Sequence, residues 1–598
     1  MKKWDDLLVQ NQSRRQTKHE RISKHLGYDT ETLNGKLKLI CLSTKNGGKQ
    51  EELYIEDINK EENLYPILLF LTQTKYKDYL KWFYNIDYDF RAIIRYLPEE
   101  LLLELYNENK VKFHNFEIKY LPKKYFSVSR NKYVWIYYDI SQFFPGGLDK
   151  NAKKYLNNEC KDDINAVVLG SSLNYWNDNK KEIIKYCKQD CKLTAQLADL
   201  FYQNLWKEIK FNPSKPYSSG SISQEYFLNN TFIPTIKNIP TTVLKLHQDN
   251  YRGGRIEILR RGYFDNLKSY DIKSAYPAQM VKLLDYSAGN WKKTTNFDDS
   301  YHGIYEIEYS SYDDYIGLFP QNFNNLTVYP NGEGLKTVVN EQELIFLQNN
   351  SNIADFQILN GYQFIPFREI YPYKDLIMQL FREKETTSDE NKRMIYKLFI
   401  NSIYGKTAQA IYDKKTKKFR TGKLYNPIYS NRITSLTRLE LVKNALSISK
   451  DVIGFSTDSI QTTKEIKTGS KLGDFTFEYN AKDSVILMSG IRYTDDKQKI
   501  RGYGNRLALD ETSETKYNLA DVLEMNREKS KIPVYVKKPV TLFQGLKYSK
   551  YSTEDINVFM TSEKILDING DYRRIWKDNF INCADCLTRN ISSIPIMI

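Results

Sequence analysis

Apolar and polar positions alternate along parts of this chain with the period of a strand and along other parts with the period of a helix. Strand-like alternation runs through 36–42, after a turn at Asn34-Gly35, and through 79–84. Helical periodicity is strongest in 181–208, where apolar residues recur on one face. Further helices are predicted at 90–96, 374–384, 391–404 and 431–449, and a strand-turn-strand unit is predicted at 451–460.

The order of these elements predicts several domains, because 598 residues are too many for one hydrophobic core. Strands followed by helices as far as residue 210 predict an α/β domain after a polar leader at 1–25. Pro, Gly and Ser cluster in 212–221 and predict a linker. A β-rich insertion is predicted at 290–365, where Asn, Asp, Tyr and Gly abound, and a short basic hairpin at 406–430.

The stretch Tyr270–Pro277 reads Y-D-I-K-S-A-Y-P and predicts a strand that stops at a turn, since Pro277 ends any ladder. Asp271 would then lie at a strand end, where a carboxylate can hold a metal, and Tyr276 could form the floor of a pocket. The alternative is that Asp271 is an ordinary turn residue.

Charge and composition favour a polyanionic partner. Lys and Arg number 88 against 74 Asp and Glu, which gives a net charge of +14, and the sequence pI is about 9.0. The 47 tyrosines could stack on bases, but an AT-rich genome is the favoured explanation of their abundance. Six cysteines in so long a chain argue against a disulfide scaffold and for a reducing compartment.

Neither cysteine pair predicts a metal site. Cys583 and Cys586 form a C-x-x-C without a second pair at zinc spacing, and Cys187 and Cys191 have no neighbouring histidine. The N-terminus lacks the apolar core of a secretory signal, and no stretch of about 20 apolar residues predicts a membrane span.

Carboxylates recur in the first 200 residues in a pattern that suits two-metal hydrolysis. Asp29 and Glu31 are two apart on a strand and share a face. Asp89 is predicted just before a helix, and Tyr186 and Asp190 lie one turn apart on a helix. Singly, such residues are usually solvated or cap a helix, but four carboxylates can bind two Mg²⁺ about 4 Å apart, and Tyr186 could orient a water.

D-x-E, N-x-x-Y-D and Y-x-x-x-D, in this order, resemble the three exonuclease motifs of proofreading DNA polymerases. The resemblance implies a ribonuclease H-like fold and 3′→5′ exonuclease activity. It implies that Asp29, Glu31, Asp89 and Asp190 are metal ligands, that Tyr186 orients the water, and that Asn85 contacts the primer strand.

In the second half, a predicted helix carries a cationic stripe. Arg393, Lys397, Asn401 and Tyr404 fall along one side of the helix, whereas apolar residues such as Ile395 lie away from them. Arg and Lys can neutralise triphosphate oxygens, and Tyr can pack on a base or sugar. The alternative is a solvated helix face.

Three segments of the second half resemble motifs of family B DNA polymerases. Residues 397–405 (K-x-x-x-N-S-x-Y-G) resemble motif B, residues 271–277 (D-x-x-S-A-Y-P) resemble motif A, and residues 455–459 (F-S-T-D-S) resemble motif C. Tyr251-Arg252-Gly253-Gly254 resembles the Y-x-G-G linker motif, and Arg492-Tyr493 weakly resembles the K-x-Y region. The exonuclease motifs and motifs A, B and C occur in the family order.

This sequence departs from the family pattern at three positions. Ala275 replaces the usual Leu of motif A, and Ser456 replaces the first Asp of motif C. Ile491 occupies the position of the K-x-Y lysine, for which Arg492 could substitute. Asp458, the stronger metal ligand of motif C in the family, is present together with Asp271.

The insertions after motif A and between motifs B and C look like those of the protein-primed branch found in phages and linear plasmids. The resemblance implies an α+β multidomain fold, in which a ribonuclease H-like exonuclease domain precedes a right-hand palm, fingers and thumb. It divides the chain into an exonuclease domain with its leader (1–212), a linker with the first part of the palm (213–289), an insertion of the terminal-protein-region type (290–370), the fingers (371–405), a short second insertion (406–430), the rest of the palm (431–510) and a thumb or C-terminal region (511–598).

The implied function is a DNA-directed DNA polymerase with proofreading, acting on a DNA primer-template and dNTPs, with a terminal protein as an expected primer. Asp271 and Asp458 would hold two Mg²⁺, for which Mn²⁺ is expected to substitute. Tyr276 would exclude a 2′-OH, and Tyr251, Gly253, Gly254, Arg492 and Tyr493 would contact DNA. The expected location is the cytoplasm of a host cell, or a mitochondrion for an organellar plasmid.

The alternative enzyme is a 3′→5′ exonuclease whose polymerase half only grips DNA. Ser456 in motif C and the missing lysine of the K-x-Y region favour this alternative. A DNA-binding scaffold without activity is the third hypothesis.

Overall fold

The computed structural model describes residues 7–8, 24–157, 159–160, 164, 166–413, 416–495, 497–504, 506–511, 515–548 and 559–598. The predicted N-terminal leader falls mostly outside these residues. Across the described ranges, none of the helices has both the length and the apolar character that crossing a bilayer requires.

Among its described residues, the first domain contains a large mixed sheet and seven α-helices. A short strand β1 (Leu7–Leu8) lies outside this sheet. The strands of the sheet are β2 (His25–Leu33), β3 (Lys36–Thr44), β4 (Gln50–Tyr54), β5 (Leu80–Phe83), β6 (Lys110–Phe113), β7 (Phe116–Leu121), β8 (Tyr125–Arg130) and β9 (Tyr133–Asp139). Its helices are α1 (Leu64–Leu71), α2 (Ile86–Ile94), α3 (Glu99–Glu108), α4 (Leu148–Tyr155), α5 (Ala166–Ser171), α6 (Leu173–Asp178) and α7 (Lys180–Ile209). The eight strands are ordered β4-β3-β2-β5-β9-β8-β7-β6, and only β2/β5 and β5/β9 pair in parallel.

Helix α7 lies close against β2 because Gly27 leaves no side chain between them. A Cβ at Gly27 would lie 1.9 Å from the main-chain oxygen of Cys191. The predicted turn at Asn34-Gly35 and the helix predicted at 181–208 are confirmed. The prediction for Asp89 is wrong in its local structure, because α2 begins at Ile86 and includes Asp89 within the helix.

The predicted linker at 212–221 is wrong in its second half. Helix α8 (Ser219–Asn230) begins inside it, and a capping box formed by Ser218 and Ser221 fixes its start. Helix α9 (Thr241–Asp249) follows. Phe211 and Tyr226 both pack on Phe399, so one hydrophobic core continues from the first domain into the second half of the chain.

Strands β10 (Arg255–Ile258), β11 (Arg260–Phe264) and β12 (Leu267–Ile272) lead into helix α10 (Ala275–Met280). The predicted strand that stops at a turn is confirmed, although Pro277 is not the residue that ends it. β12 stops at Ile272, and Pro277 lies in the first turn of α10, where a missing N–H is tolerated.

The β-rich insertion predicted at 290–365 is confirmed. It contains β13 (Gly289–Lys293), β14 (His302–Ser311), β15 (Gln321–Phe323), β16 (Leu326–Val328), β17 (Gly332–Asn340), α11 (Glu341–Gln348) and β18 (Ala354–Pro366). Four strands form a sheet ordered β13-β18-β14-β17, and β15 and β16 form a hairpin. The pattern does not predict α11, which Asn340 caps with its side chain.

The helical hairpin predicted at 374–384 and 391–404 is confirmed as α12 (Lys374–Thr386) and α13 (Glu390–Ser402), with Asp389 as the N-cap of α13. The basic hairpin is present as β19 (Ala410–Asp413) and β20 (Lys418–Thr421), and β1 pairs with β20. Helix α14 (Pro427–Ile448) follows and is buried along most of its length.

Strands β21 (Val452–Thr457), β22 (Ser459–Thr462) and β23 (Phe475–Ala481) complete a five-stranded sheet, here called the central sheet, ordered β10-β21-β22-β12-β23. The strand-turn-strand prediction for 451–460 is confirmed. Helix α14 packs against this sheet through Leu441 and Ala445, and against the insertion through Leu436 and Leu439.

The last part of the chain returns to the central region. Its elements are β24 (Ser484–Met488), β25 (Ile491–Thr494), β26 (Lys497–Ile500), α15 (Leu519–Met525), β27 (Lys531–Pro539), α16 (Leu542–Tyr548), β28 (Phe559–Asp567), β29 (Ile575–Trp576), α17 (Cys583–Cys586) and β30 (Asn590–Ile594). A six-stranded sheet is ordered β26-β25-β24-β11-β30-β29, and β27 pairs with β28.

A buried ion network joins this C-terminal part to the central sheet. Glu257 is in ion pairs with Arg255 at 2.5 Å and with Arg574 at 2.7 Å, and all three side chains are almost fully buried. Burial alone would raise the pKa of Glu257, but the two guanidinium groups together hold that pKa below its ordinary value.

Candidate active sites

Two predicted carboxylates come together at one end of the central sheet. β12 lies between β22 and β23, so Asp271 is opposite Ser459 on one side and Thr476 on the other. Asp458 lies in the two-residue turn between β21 and β22, and its main-chain oxygen accepts a 2.9 Å hydrogen bond from the N–H of Ile272. Adjacent strands therefore hold the two acids side by side.

A third carboxylate, Glu478 on β23, belongs to the same cluster and is not predicted from the motifs. A β-bulge between Ser269 and Tyr270 leaves Glu478 between two paired residues of β23. Bulges re-aim side chains, often beside active sites. The hydroxyl of Ser269 donates a 2.7 Å hydrogen bond to Glu478 Oε2. The sequence signal for Glu478 is weak, because its neighbours in the site lie on distant strands.

Burial and the repulsion between neighbouring carboxylates determine the electrostatics of this cluster. Burial, then the neighbouring Asp458 and Glu478, raise the pKa of Asp271 to about 7, although Lys397 acts in the opposite direction. Burial also raises the pKa of Asp458, and Glu478 adds to this effect. Carboxylates packed in this way are a donor set that a divalent cation would stabilise, and oxygen is the ligand that Mg²⁺ prefers.

Both acids are flanked by residues in left-handed backbone conformations. Thr457, just before Asp458, has φ of 71°, and Ser274, three residues after Asp271, has φ of 50°. A β-branched residue in this region is strained by about 1–2 kcal/mol, and such strain clusters at functional sites. The N–H of Asp458 donates to the oxygen of Ser456 at 2.9 Å, so the tip of motif C is a tight γ-type turn.

Two predicted tyrosines stack above the cluster. The rings of Tyr276 and Tyr404 have centroids 3.9 Å apart, tilted by 32°. Burial, then Tyr404, raise the pKa of Tyr276. Tyr251 is half-buried near Tyr404. Burial is the larger cause that raises the pKa of Tyr251, and Tyr404 raises it further. Gly254 lies under this pair, because a Cβ there would be 2.9 Å from the hydroxyl of Tyr276.

Helix α13 presents its predicted polar face beside the site. Arg393, Lys397 and Asn401 are exposed, whereas Ile395 and Phe399 are buried. The predicted division between a cationic face and an apolar face is thus confirmed for these residues. Lys397 is also near enough to Asp271 to lower its pKa, so the cationic face and the acids share one site.

Lys384 on α12 is a further cation that the motifs do not predict. It is largely buried, and its Nζ donates a 3.0 Å hydrogen bond to the hydroxyl of Ser274 in motif A. Burial lowers the pKa of Lys384, although Glu385 raises it. Lys384 therefore ties the helical hairpin to the loop that follows Asp271.

The predicted DNA contacts fall into two groups. The oxygens of Arg252 and Gly253 accept hydrogen bonds from Arg438 at 2.9 and 2.6 Å, which fixes the Y-x-G-G segment against α14. Gly253 is exposed, with nothing within 4 Å of where its Cβ would be. The Tyr493 ring is 8% exposed and packs in the core of the C-terminal part, and its contact with DNA stays a prediction. Arg492, which precedes it, is half-exposed.

A second acidic site lies in the first domain. Asp29 and Glu31 on β2 have ligand atoms within 4.8 Å of each other and of the Cys187 thiol. Asp89 accepts a 2.7 Å hydrogen bond from the Thr30 hydroxyl. Burial, then the charge of Asp29, raise the pKa of Asp89 well above its ordinary value. The structure therefore brings Asp29, Glu31 and Asp89 together.

Helix α7 supplies the remaining predicted residues of this second site. Burial is the main cause that raises the pKa of the Cys191 thiol, and the charges of Asp29 and Asp190 raise it further. The thiol therefore lies near both carboxylates. Asp190 is buried, and Tyr186 is half-buried one turn earlier on α7. Burial raises the pKa of the Cys187 thiol too, which keeps it neutral and makes it a poor metal ligand.

Asn85 is exposed at the start of α2, with a left-handed φ of 65°. Its N–H donates a 3.0 Å hydrogen bond to Asp139, which fixes this loop next to the second site. Tyr88 follows one turn later, and its hydroxyl is 2.9 Å from that of Thr32 on β2. The side chain of Asn85 thus remains accessible at the rim.

A sheet-based acidic domain joined to a central sheet, a helical hairpin and a C-terminal lobe makes this an α+β multidomain protein, which is the architecture that the resemblance to right-hand polymerases predicts. Over residues 170–440 the chain matches the family "DNA polymerase type B, organellar and viral". These findings confirm the resemblance to family B DNA polymerases of the protein-primed branch that the motifs indicate.

Individual relatives agree with this result. The chain is 25% identical over 371 residues to a DNA polymerase of Acidianus bottle-shaped virus, covering 58% of this chain and 53% of that one. It is 26% identical over 255 residues to a probable DNA polymerase of Neurospora intermedia, covering 39% of this chain and 25% of that one. A DNA polymerase of Bacillus phage M2 is 23% identical over 488 residues, covering 73% and 82%. The chain spans about half of the first relative and a quarter of the second.

A solved structure shares the fold. Phi29 DNA polymerase complexed with primer-template DNA and incoming nucleotide substrates superposes with a TM-score of 0.60 and 16% identity, covering 91% of this chain and all of that one. The exonuclease, palm, fingers and thumb layout predicted from the sequence is thus confirmed as an architecture.

Proposed function

We propose that the protein is a DNA-directed DNA polymerase with a 3′→5′ proofreading exonuclease. The observation that carries the proposal is the cluster of Asp271, Asp458 and Glu478 at the end of the central sheet. Above this cluster lie the Tyr276–Tyr404 pair and the cationic face of α13. The family match supports the same assignment.

Divalent cations fit the polymerase cluster. Asp271 and Asp458, with Glu478 beside them, would hold two Mg²⁺, since three neighbouring carboxylates offer the oxygen ligands that Mg²⁺ prefers and raise the pKa values of Asp271 and Asp458. Bound Mg²⁺ would lower the pKa of the primer 3′-OH and stabilise charge on the leaving pyrophosphate. Glu478 offers a third carboxylate in a site where motif C has Ser456 in place of its first Asp.

The surrounding residues would bind and select the nucleotide. Lys397 and Arg393 on α13 would neutralise phosphate oxygens. The Tyr276 ring would pack under the sugar and exclude a 2′-OH, because Tyr404 and Gly254 leave it little freedom to move. Asn401 and Tyr404 would line the nascent base pair.

The acidic site of the first domain would remove mismatched 3′ ends. Asp29, Glu31, Asp89 and Asp190 would hold the metal ions, and Tyr186 would orient the attacking water. Asn85, exposed at the rim, would contact the primer strand.

Priming by a terminal protein is part of this proposal and rests on the β-rich insertion after motif A. Replication of a phage or linear plasmid genome, in a host cytoplasm or a mitochondrion, would suit such an enzyme. Incubation with labelled dATP and a candidate terminal protein tests this, and absence of a covalent label on that protein would contradict it.

Primer extension with and without dNTPs tests the main proposal. We expect template-directed addition that disappears in Asp458→Ala, while 3′-end degradation continues. We expect Asp29→Ala combined with Glu31→Ala to abolish degradation while synthesis continues. Undiminished synthesis by Asp458→Ala would overturn the polymerase assignment.

A second candidate function is a 3′→5′ exonuclease whose polymerase half only grips DNA. The observation that favours it is Ser456, which leaves motif C with a single carboxylate. Shortening of a labelled primer without any extension, at saturating dNTPs, would select this candidate.

A further inference from the structure

A cavity of about 600 Å³ opens in the first domain, away from the acidic sites. It lies at the N-terminal end of β2, where His25 is four residues before Asp29 along the strand, or about 13 Å. Its walls come from that strand end, the β3–β4 loop at 44–49, Tyr79, the last turns of α7, and Asn212 in the segment after α7. Neither proposed active site uses this cavity, here called the basal cavity.

The basal cavity is cationic. Three lysines, Lys24, Lys45 and Lys49, line it against one carboxylate, Asp199. Lys45 and Asp199 form an ion pair at 2.8 Å. Lys24 and Lys49 each lie over the Tyr79 ring, 5.9 and 5.6 Å from its centroid. The net excess of positive charge favours an anion.

Aromatic side chains form another part of the wall. Trp206 and Tyr202 face the cavity from α7, and the rings of His25 and Tyr202 have centroids 4.9 Å apart. His25 accepts a 3.0 Å hydrogen bond from Trp82 at Nδ1, so its proton is on Nε2, and burial lowers its pKa to about 4. The cavity therefore combines exposed cations with ring faces and a neutral imidazole.

The walls are fixed in position. In the β3–β4 loop, the Thr44 hydroxyl donates to Asn46 at 2.9 Å and accepts from the N–H of Lys49 at 3.1 Å. Across the cavity, the Asn212 amide nitrogen is buried and has no hydrogen-bond partner among the described residues. A rigid loop needs little ordering when a ligand binds, and a buried donor without a partner is the kind of group that a ligand satisfies.

We propose that the basal cavity binds a nucleoside phosphate, as a site separate from both active sites. Phosphate would bind Lys24 and Lys49, which both lie over the Tyr79 ring and together favour an anion. The base would pack on the aromatic wall at Trp206, and the Asn212 amide would donate to an acceptor on the base or sugar. A volume of about 600 Å³ is within the ordinary range for small-ligand sites. An acidic peptide would satisfy the lysines but would make no use of the aromatic wall.

The nucleoside phosphate could be a free deoxynucleotide or one unit of a single DNA strand, since both offer the same chemistry. Photo-crosslinking of the full chain with 8-azido-dATP in EDTA, followed by peptide mapping, locates the site, because EDTA removes the cations that the polymerase site needs. Competition by dATP, and by an oligothymidylate with nuclease-resistant linkages, separates the two sources.

We expect labelled peptides that contain Tyr79 or Trp206. Lys24→Glu combined with Lys49→Glu should weaken binding by about tenfold or more, and Trp206→Leu by about tenfold. The matched control, Lys110→Glu with Lys112→Glu, reverses two exposed lysines on β6 and should stay within about twofold of the parent protein. Primer extension by the cavity variants should be unchanged, which shows that they fold.

Stronger competition by dATP would support a free nucleotide, and stronger competition by the oligothymidylate would support a strand. Labelling confined to peptides near Lys397 would overturn the proposal. Parental affinity in the variant that combines Lys24→Glu with Lys49→Glu would also overturn it. Failure of primer extension in the parent protein would affect the proposed function alone, because the crosslink does not depend on it.

Discussion

Substitution of Gly254 by alanine tests how closely the Y-x-G-G segment supports the nucleotide site. A Cβ at Gly254 would lie 2.8 Å from Thr457 Cγ2, 2.9 Å from the Tyr276 hydroxyl and 3.1 Å from the oxygen of Thr457. The first two distances are shorter than side-chain carbons normally tolerate. Motif A, motif C or both must therefore move when the methyl group is added.

The expected loss of rate follows from the free-energy cost of overpacking the site with one methyl group. One inserted methyl group in a filled site costs about 1–3 kcal/mol. If this strain falls on Tyr276 and on the turn that carries Asp458, the same energy raises the barrier to nucleotide addition. It then lowers the rate by roughly 5- to 150-fold, because 1.4 kcal/mol is about a factor of ten.

Single-nucleotide incorporation under single-turnover conditions measures this loss, and excision of an unpaired 3′ end serves as an internal control. Gly253→Ala is the matched variant, since nothing lies within 4 Å of that position. We expect Gly254→Ala to lose at least about fivefold in incorporation and to keep excision, whereas Gly253→Ala keeps both. Equal effects of the two substitutions would contradict the predicted clash of a methyl group at Gly254 with Thr457 and Tyr276.

Three further predictions concern other residues. Glu478→Gln keeps the shape of the side chain but removes a charge beside Asp458. It should therefore raise the Mg²⁺ concentration needed for half-maximal extension by about tenfold or more. An unaltered Mg²⁺ titration would exclude a role for Glu478. Glu257→Ala leaves two buried guanidinium groups unpaired and should lower the free energy of unfolding by about 3–5 kcal/mol. Asp578→Ala, which removes an exposed ion pair, should change it by less than about 1 kcal/mol in the same urea titration. Burial lowers the pKa of His25 to about 4 and of His247 to about 3. Both pKa values are below the unfolded value of about 6.5, so the unfolded chain binds more protons and stability falls below pH 6.5. The slope should be about 1.4 kcal/mol per pH unit for each histidine, and His247→Gln should flatten the melting-temperature profile between pH 6.5 and 4.

Long, strongly periodic elements can be predicted from the sequence because their information is local. Helix α7 (Lys180–Ile209) lies within two residues of the prediction at both ends. The hairpin of α12 and α13 is equally clear, since an apolar stripe and the N-cap at Asp389 mark it. Asp271 and Asp458 could be paired only through a resemblance, because 187 residues separate them.

The features that cannot be predicted from the sequence depend on contacts that no local pattern marks. Glu478 enters the site through a bulge opposite Ser269, about 200 residues away in the chain, and no local pattern marks it. Ser218 and Ser221 look like linker residues, but their mutual hydrogen bonds start α8. Tyr493 belongs to a motif-like pair, yet packing of the C-terminal part buries its ring.

The sheet that contains both β11 and β30 places a constraint on biosynthesis. Arg260 of β11 contacts Asn590 of β30 across 330 residues of sequence, whereas the sheet of the first domain is complete by Asp139. On a ribosome, the first domain can fold while the rest is still being made, since domains form as units during synthesis. β11 gains its second neighbour only after residues 590–594 have been made, and until then it presents an unpaired strand edge, which is prone to mispairing. The six-stranded sheet thus remains incomplete during the synthesis of more than 300 residues after β11.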